Sequence, residues 1–266
     1  MAHNEMLRSY CERIGIDPAA LAGRALVEAV QRAHRLAIPF ENLEIALGRG
    51  IDLAPAALFD KLVTRRRGGY CFEQNALFLA GLRALGFEAR PLLARVWLLV
   101  EDTPPRTHTL NLVAIDGEEY IADAGFGGGY TPPMPLRENE VTTTADGARH
   151  RLTRDAAHGW MLERDGGAGW VRQYSFTTKA VWPADLEAAN HWTATRPNTR
   201  FTTLRIVSIA LPDGYASLVE RTLTVNRRGE VEASEVGSAA AYRQRLRDDF
   251  WLDLSEVDVA SLGLFD

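Results

Sequence analysis

A chain of 266 residues, 46% of them hydrophobic and carrying a net charge of −5, can bury a sizeable core in one large domain or in two to three small ones. Its arginines are interspersed with carboxylates and form no basic stripe able to neutralise phosphates, which argues against nucleic acid as a partner. There is no run of about 18 apolar residues, and the opening MAHNEMLRSYCERIGI has neither a basic leader nor an apolar signal core; the expectation is a soluble, cytoplasmic protein with no membrane partner.

From about residue 4 to 87 the spacing is helical. Leu21, Leu26, Val30, Ala33 and Ala37 recur three to four residues apart, as do Leu58 and Leu62 and then Phe72, Ala76 and Leu79, with Pro39 and Gly86 as punctuation. From 88 to about 176 the pattern changes to strands. ARVWLLV, HTLNLVAI and EYIADAGF are short β-branched or aromatic runs, and Asp116-Gly117 turns the second into the third. Residues 127–137, GGGYTPPMPLR, form a loop, after which HRLTRDAAHGWMLERD and WVRQYSF continue the antiparallel pattern. The last third mixes strands, TTLRIVSIAL and YASLVERTLTV with a turn at Asp213-Gly214, and a closing helix around AAYRQRLRDDF. The order is therefore α, then β, then α/β. No repeat or low-complexity linker divides the chain, so the parts are expected to pack into one body.

The chain has two cysteines, too few for a secreted disulfide framework, which leaves Cys71 a free thiol. In RRRGGYCFEQNALFLAGLRALG, Gly68 and Gly69 lead into Cys71 and an amphipathic helix follows. A thiol in the first helical turn faces unpaired N–H groups and the positive end of the helix dipole, which favour the thiolate. A fall of about two units from about 8.5 corresponds to about 2.7 kcal/mol and makes the thiolate the majority form at neutral pH. The motif alone leaves a second reading open, that Cys71 is a small buried hydrophobe. Partners decide between the two.

His108 starts a strand, and Asp123 lies two residues short of the register that a turn centred on Asp116-Gly117 sets. Turn type can absorb that offset and bring the two side by side on one face. The carboxylate then fixes one ring nitrogen as a donor and leaves the other to take a thiol proton. His3, His34, His150, His158 and His191 lack this setting and read as surface or structural residues. No CxxC, HxxxH or HExxH supports a metal. Glu73, Gln74 and Asn75 stay ambiguous, since the first helical turn attracts carboxylates anyway. Gly125, Gly127, Gly128 and Gly129 precede no helix and form no nucleotide motif.

IPFENL at 38–43, RGGYCFEQN at 67–75, THTLNLV at 107–113, IADAGFG at 121–127 and NHWTATRPNTRF at 190–201 resemble the arylamine N-acetyltransferase family along nearly the whole chain. The resemblance implies an α+β fold. A helical bundle (1–87) would carry the nucleophile, an antiparallel β-barrel (88–189) the His and Asp, and an α/β lid (190–266) would complete the fold around a papain-like Cys-His-Asp core. It implies Cys71, His108 and Asp123 as the triad. The acyl donor would be acetyl-coenzyme A, the acceptor an arylamine or arylhydrazine, and the intermediate an acetyl-cysteine. Phe40, Val96 and Phe201 resemble the aryl slot, and Thr107, Gly125, Phe126 and Gly127 the stretch along which the coenzyme arm lies; no metal takes part. Three other readings share much of this pattern: an amide synthase that releases and cyclises a polyketide from a carrier-protein thioester, a papain- or transglutaminase-type hydrolase, and an inactive coenzyme A or aromatic-ligand module.

Overall fold

The computed structural model of the chain describes residues 2–98 and 100–265, with the side chains of Ala2 and His3 outside that description. Its first third runs α1 (Ala2–Ile14), α2 (Gly23–Ala37), β1 (Phe40–Glu41), α3 (Leu43–Ala46), α4 (Pro55–Phe59) continued by a π turn (Asp60–Thr64), and α5 (Cys71–Ala84). Leu26, Val27 and Val30 of α2 are buried and join Leu62, Phe78 and Leu82 in one helical core, as the three-to-four spacing requires. Ile38 leaves the helical conformation (φ −114°, ψ 110°) because the residue before Pro39 is pushed toward extended backbone. Leu21 falls outside the pattern: it precedes α2 and is exposed. The N-terminal third is also not purely helical, for β1 pairs with a strand from the far end of the chain.

The strands β2 (Ala89–Val96), β3 (Arg106–Ile115), β4 (Glu118–Ala122), β5 (Met134–Pro135), β6 (Thr142–Thr143), β7 (Arg149–Asp155), β8 (Gly159–Asp165) and β9 (Trp170–Phe176) follow. They form one antiparallel sheet in the order β5-β4-β3-β2-β9-β8-β7-β6. A bridge from Glu138 to Leu152 of β7 and the bond from Asn139 N–H to the Leu152 carbonyl at 2.8 Å nearly close it into a barrel around Leu92, Leu110, Leu152 and Leu162. Asp116 and Gly117 both have positive φ, 51° and 84°, the geometry of a two-residue hairpin turn. The run 94–100 is only partly strand: β2 starts five residues earlier and stops at Val96, and Leu99 lies outside the described residues.

The remainder comprises α6 (Pro183–Thr195), α7 (Arg200–Thr203), β10 (Ile206–Leu211), β11 (Gly214–Val219), β12 (Thr222–Arg227), β13 (Glu230–Glu235), α8 (Ala239–Phe250) and α9 (Glu256–Ser261). The second sheet has the order β1-β10-β11-β12-β13, and Leu218, Tyr242, Leu246 and Phe250 pack against Leu43 from the first third. Register places Leu211 opposite Gly214, so the turn is Pro212-Asp213, one residue earlier than the Asp-Gly pair indicates. Helix α6 crosses residue 189. Its start was encoded in Pro183 at the first helical position and in Asp185, whose carboxylate accepts from Trp182 N–H at 2.9 Å. The fold is thus mixed helix and sheet around a nearly closed barrel-like sheet. Among the described residues no helix is long and apolar enough to cross a membrane.

Candidate active site

Helix α5 starts on a buried polar platform. Tyr70 N–H donates to Glu73 Oε2 at 3.0 Å, Lys61 donates to Glu73 Oε1 at 2.6 Å, and Arg67 pairs with Glu41 at 3.0 Å and with Glu44 at 2.9 Å. Glu73 therefore caps the helix and Lys61 holds the cap. Cys71 follows immediately, 2% exposed, and lines a cleft of about 650 Å³ together with Val96, Thr107, His108, Phe126 and Phe201.

His108 reaches this cleft through an irregularity of the sheet. β2 and β3 pair Ala94 with His108 but Arg95 with Arg106, so Thr107 is an extra, unpaired residue, a bulge of the kind that re-aims side chains beside sites. The Thr107 carbonyl accepts the Cys71 S–H at 3.7 Å. On the other side, β3 and β4 keep strict hairpin register through Asn111 and Ala122. The two-residue offset is therefore not absorbed by the turn. Asp123 lies just past the end of β4 and spans it diagonally, its Oδ2 2.7 Å from His108 Nε2. Asn75 Nδ2 and Gly125 N–H each donate to Oδ1 at 2.9 Å, and the Asp123 N–H donates to Gln31 Oε1 at 2.9 Å. An ionised carboxylate only accepts, so His108 Nε2 carries its hydrogen and Nδ1 is left with a free lone pair. The cleft thus carries a thiol and an imidazole, with a carboxylate hydrogen-bonded behind the ring.

The family model described as N-acetyltransferase matches residues 2–259. A curated relative, the arylamine N-acetyltransferase of Mycolicibacterium smegmatis, is 36% identical over 260 residues, covering 94% of this chain and 93% of that protein. This chain belongs to the arylamine N-acetyltransferase family. Among solved structures, the Salmonella typhimurium arylamine N-acetyltransferase superposes with a TM-score of 0.92 at 33% identity, covering 98% of each chain. The Mycobacterium marinum arylamine N-acetyltransferase in complex with CoA gives 0.89 at 33% identity, covering 98% of this chain and all of that one. The acyltransferase class of the enzyme follows from its membership of this family.

In this acyltransferase, burial acts on the two acids of the site with different outcomes. It would raise the Asp123 carboxyl, but His108, Asn75 and the Gly125 N–H outweigh it and hold Asp123 below the ordinary aspartate value. For Cys71 burial wins: desolvation, reinforced by the Asp123 charge, pushes the thiol well above its ordinary value, against the pull of the Phe72 and Thr109 N–H groups. The first-turn position favours the thiolate, and burial acts against it. An anion at this sulfur is favoured by a cation formed beside it.

Phe40, Val96, Phe201, Thr107, Gly125, Phe126 and Gly127 all line the cleft that Cys71 and His108 share. Phe40 and Phe201 stack obliquely with centroids 5.9 Å apart, and Tyr70 meets Phe201 edge-on at 5.7 Å. Phe126 lies 5.1 Å from the His108 ring, so it packs on the imidazole itself. A Cβ on Gly125 would fall 2.6 Å from Asn75 Nδ2 and 2.9 Å from the Cys71 Cα, a close approach that only glycine allows. Tyr174, missed from sequence, closes the other side of His108 at 5.1 Å. His34 and His150 are fully buried and His191 is exposed, while His158 packs 4.8 Å from Trp97 and the His3 side chain lies outside the described residues. His34 is part of a polar relay: Tyr10 OH donates to its Nδ1 at 2.8 Å, and its Nε2 donates to Gln74 Oε1 at 2.6 Å. No group of three or more potential metal ligands occurs among the described residues.

Proposed function

We propose that the enzyme transfers an acetyl group from acetyl-coenzyme A to an arylamine or arylhydrazine through an acetyl-Cys71 intermediate. The Cys71 proton passes to His108 Nδ1, giving a thiolate–imidazolium pair that Asp123 steadies from the far side of the ring. The thiolate attacks the donor carbonyl, the carbon–sulfur bond to coenzyme A breaks, and the imidazolium proton goes to the departing thiolate. An amine lone pair then attacks the Cys71 thioester. His108 takes the amine proton as the amide forms and returns it to the sulfur on release. Thioester exchange is nearly balanced in energy and amide formation runs downhill. Arylamines are largely neutral at pH 7, so no proton must be removed before attack.

The observation that carries this reading is the commitment of His108 Nε2 to Asp123 at 2.7 Å, with the Cys71 sulfur against the carbonyl of the preceding residue. Residues 1–87 would bring the thiol, 88–189 the base and its partner, and 190–266 one wall of the cleft; Phe40, Val96 and Phe201 would hold the aryl ring, with Thr107 and the 125–127 run beside the donor arm. Brief exposure to acetyl-coenzyme A without acceptor should add one acetyl to the Cys71 peptide, seen by mass spectrometry. Cys71→Ala should abolish transfer and Cys11→Ala leave it near wild type. Equal losses from the two variants, or an acetyl elsewhere, would sink the proposal.

A further inference from the structure

Helix α2 presents Gln31, His34 and Arg35 on one face, at 0%, 0% and 3% exposure, where an amphipathic helix would bury only apolar groups. Two of them grip the loop after β4. Gln31 spans its ends, accepting from Asp123 N–H at 2.9 Å and donating to the Thr131 carbonyl at 2.6 Å. Arg35 Nη2 holds its middle, donating to the carbonyls of Gly128 at 2.8 Å and Gly129 at 3.3 Å. Between these anchors, Gly125, Phe126, Gly127, Gly128 and Gly129 line the cleft.

A buried guanidinium is costly unless it is paired. Among the described residues Arg35 has carbonyls for hydrogen-bond partners and feels the Asp123 charge through space. What it achieves is orientation. A carbonyl turned onto Arg35 does not face the cleft, so the negative ends of two peptide dipoles are withdrawn from the wall.

We propose that Arg35, braced by Gln31, is a positioning residue for the acyl donor: it sets the 125–129 loop so that this wall accepts a polyanionic thioester carrying a diphosphate. This rests on the donor class proposed above. Because Arg35 holds the loop at Gly128 and Gly129 and not at the Gly125–Phe126 end that packs on Cys71 and His108, losing the grip should weaken donor binding and spare the chemistry.

The test measures kcat and KM separately with acetyl-coenzyme A and with 4-nitrophenyl acetate, a small uncharged acetyl donor, at saturating aniline. Arg35→Met should raise KM for acetyl-coenzyme A by about tenfold, change its kcat by no more than about twofold, and leave kcat/KM for the ester within about threefold of wild type. Arg35→Lys, which keeps the charge, should recover part of the KM. Parallel losses with both donors, an unchanged KM, or a Lys variant no better than Met would overturn the proposal. Should Arg35→Met fail to fold, Arg35→Gln, shorter and uncharged, carries the same comparison. A wild-type enzyme that takes no acetyl from acetyl-coenzyme A would sink the proposed function; an active wild type whose Arg35→Met KM is unmoved would sink only this inference.

Discussion

Two buried acid–base pairs flank the start of α5, His108–Asp123 on the cleft side and Lys61–Glu73 beneath it. Both carboxylates are almost wholly shielded from water, yet they are driven in opposite directions. Asp123 collects an imidazole, an amide and a backbone N–H, and is held below the ordinary range. Burial instead raises Glu73 to about 7, because Lys61, its main counterweight, is shared with Glu41. A search for groups titrating near neutrality would choose Glu73 as the acid–base residue. Access favours His108 in the proposed mechanism: it lines the cleft with Cys71, and Glu73 is not part of that lining.

The sharpest way to break this contrast is to disable each pair and ask whether rate or stability responds. Asp123→Asn leaves the ring nearly in place but lets an amide N–H face Nε2, favouring the wrong tautomer. kcat/KM should fall by about two to four orders of magnitude, with a melting temperature close to wild type. Lys61→Met leaves Glu73 buried without its cation, while Glu41 keeps Arg67, and should cost roughly 3–5 kcal/mol of stability in denaturant titration. Its folded fraction should turn over within about threefold of wild type. A large rate loss in the Lys61 variant with stability intact would mean that the lower pair takes part in the chemistry.

How far the sequence discloses this site depends on which interactions are local. The hairpin turn, the helix after Cys71 and the adjacency of His108 to Asp123 all lie within short stretches of chain, and spacing reaches them. The bulge at Thr107 does not show, because an extra residue in one strand is defined only against its partner β2. Nor does the grip of α2: Gln31 to Asp123 spans 92 residues, and polar positions at helical spacing look like a solvated face until the packing is seen. The two-residue β1 lacks any alternation, and β13 is exposed along its whole length, so neither carries a hydrophobic pattern to detect.

A third buried group, His34, is neutral and separates titration from catalysis. Burial lowers its pKa to about 3, whereas in the unfolded chain it titrates near about 6.5. The unfolded state therefore binds the extra proton between these values, and stability present above about pH 6.5 is lost as pH falls. By pH 5 the loss should be about 2 kcal/mol. His34→Gln keeps an acceptor for Tyr10 and a donor for Gln74 but cannot titrate, so its stability should drop by about that much less than wild type between pH 7.5 and 5. Denaturant midpoints at the two pH values check it; identical drops would show that the imidazole is not held neutral.

The smallest effect is expected where the perturbed pKa itself points most strongly to function. Glu73 is an acid whose folded pKa, about 7, lies above its unfolded value near about 4.3. The folded state holds the extra proton, and this group's contribution to stability declines as pH rises from about 4.3 to about 7 and is flat beyond. Glu73→Gln retains an oxygen for the Tyr70 N–H and leaves Lys61 to Glu41, so the decline should vanish and the variant should be no less stable than wild type at pH 8, as denaturant midpoints at pH 5 and 8 would show. kcat at pH 7 should stay within about threefold. If the variant instead lost a limb of the kcat profile near pH 7, the lower carboxylate would be exchanging protons with substrate, and access to the cleft would no longer distinguish the two pairs.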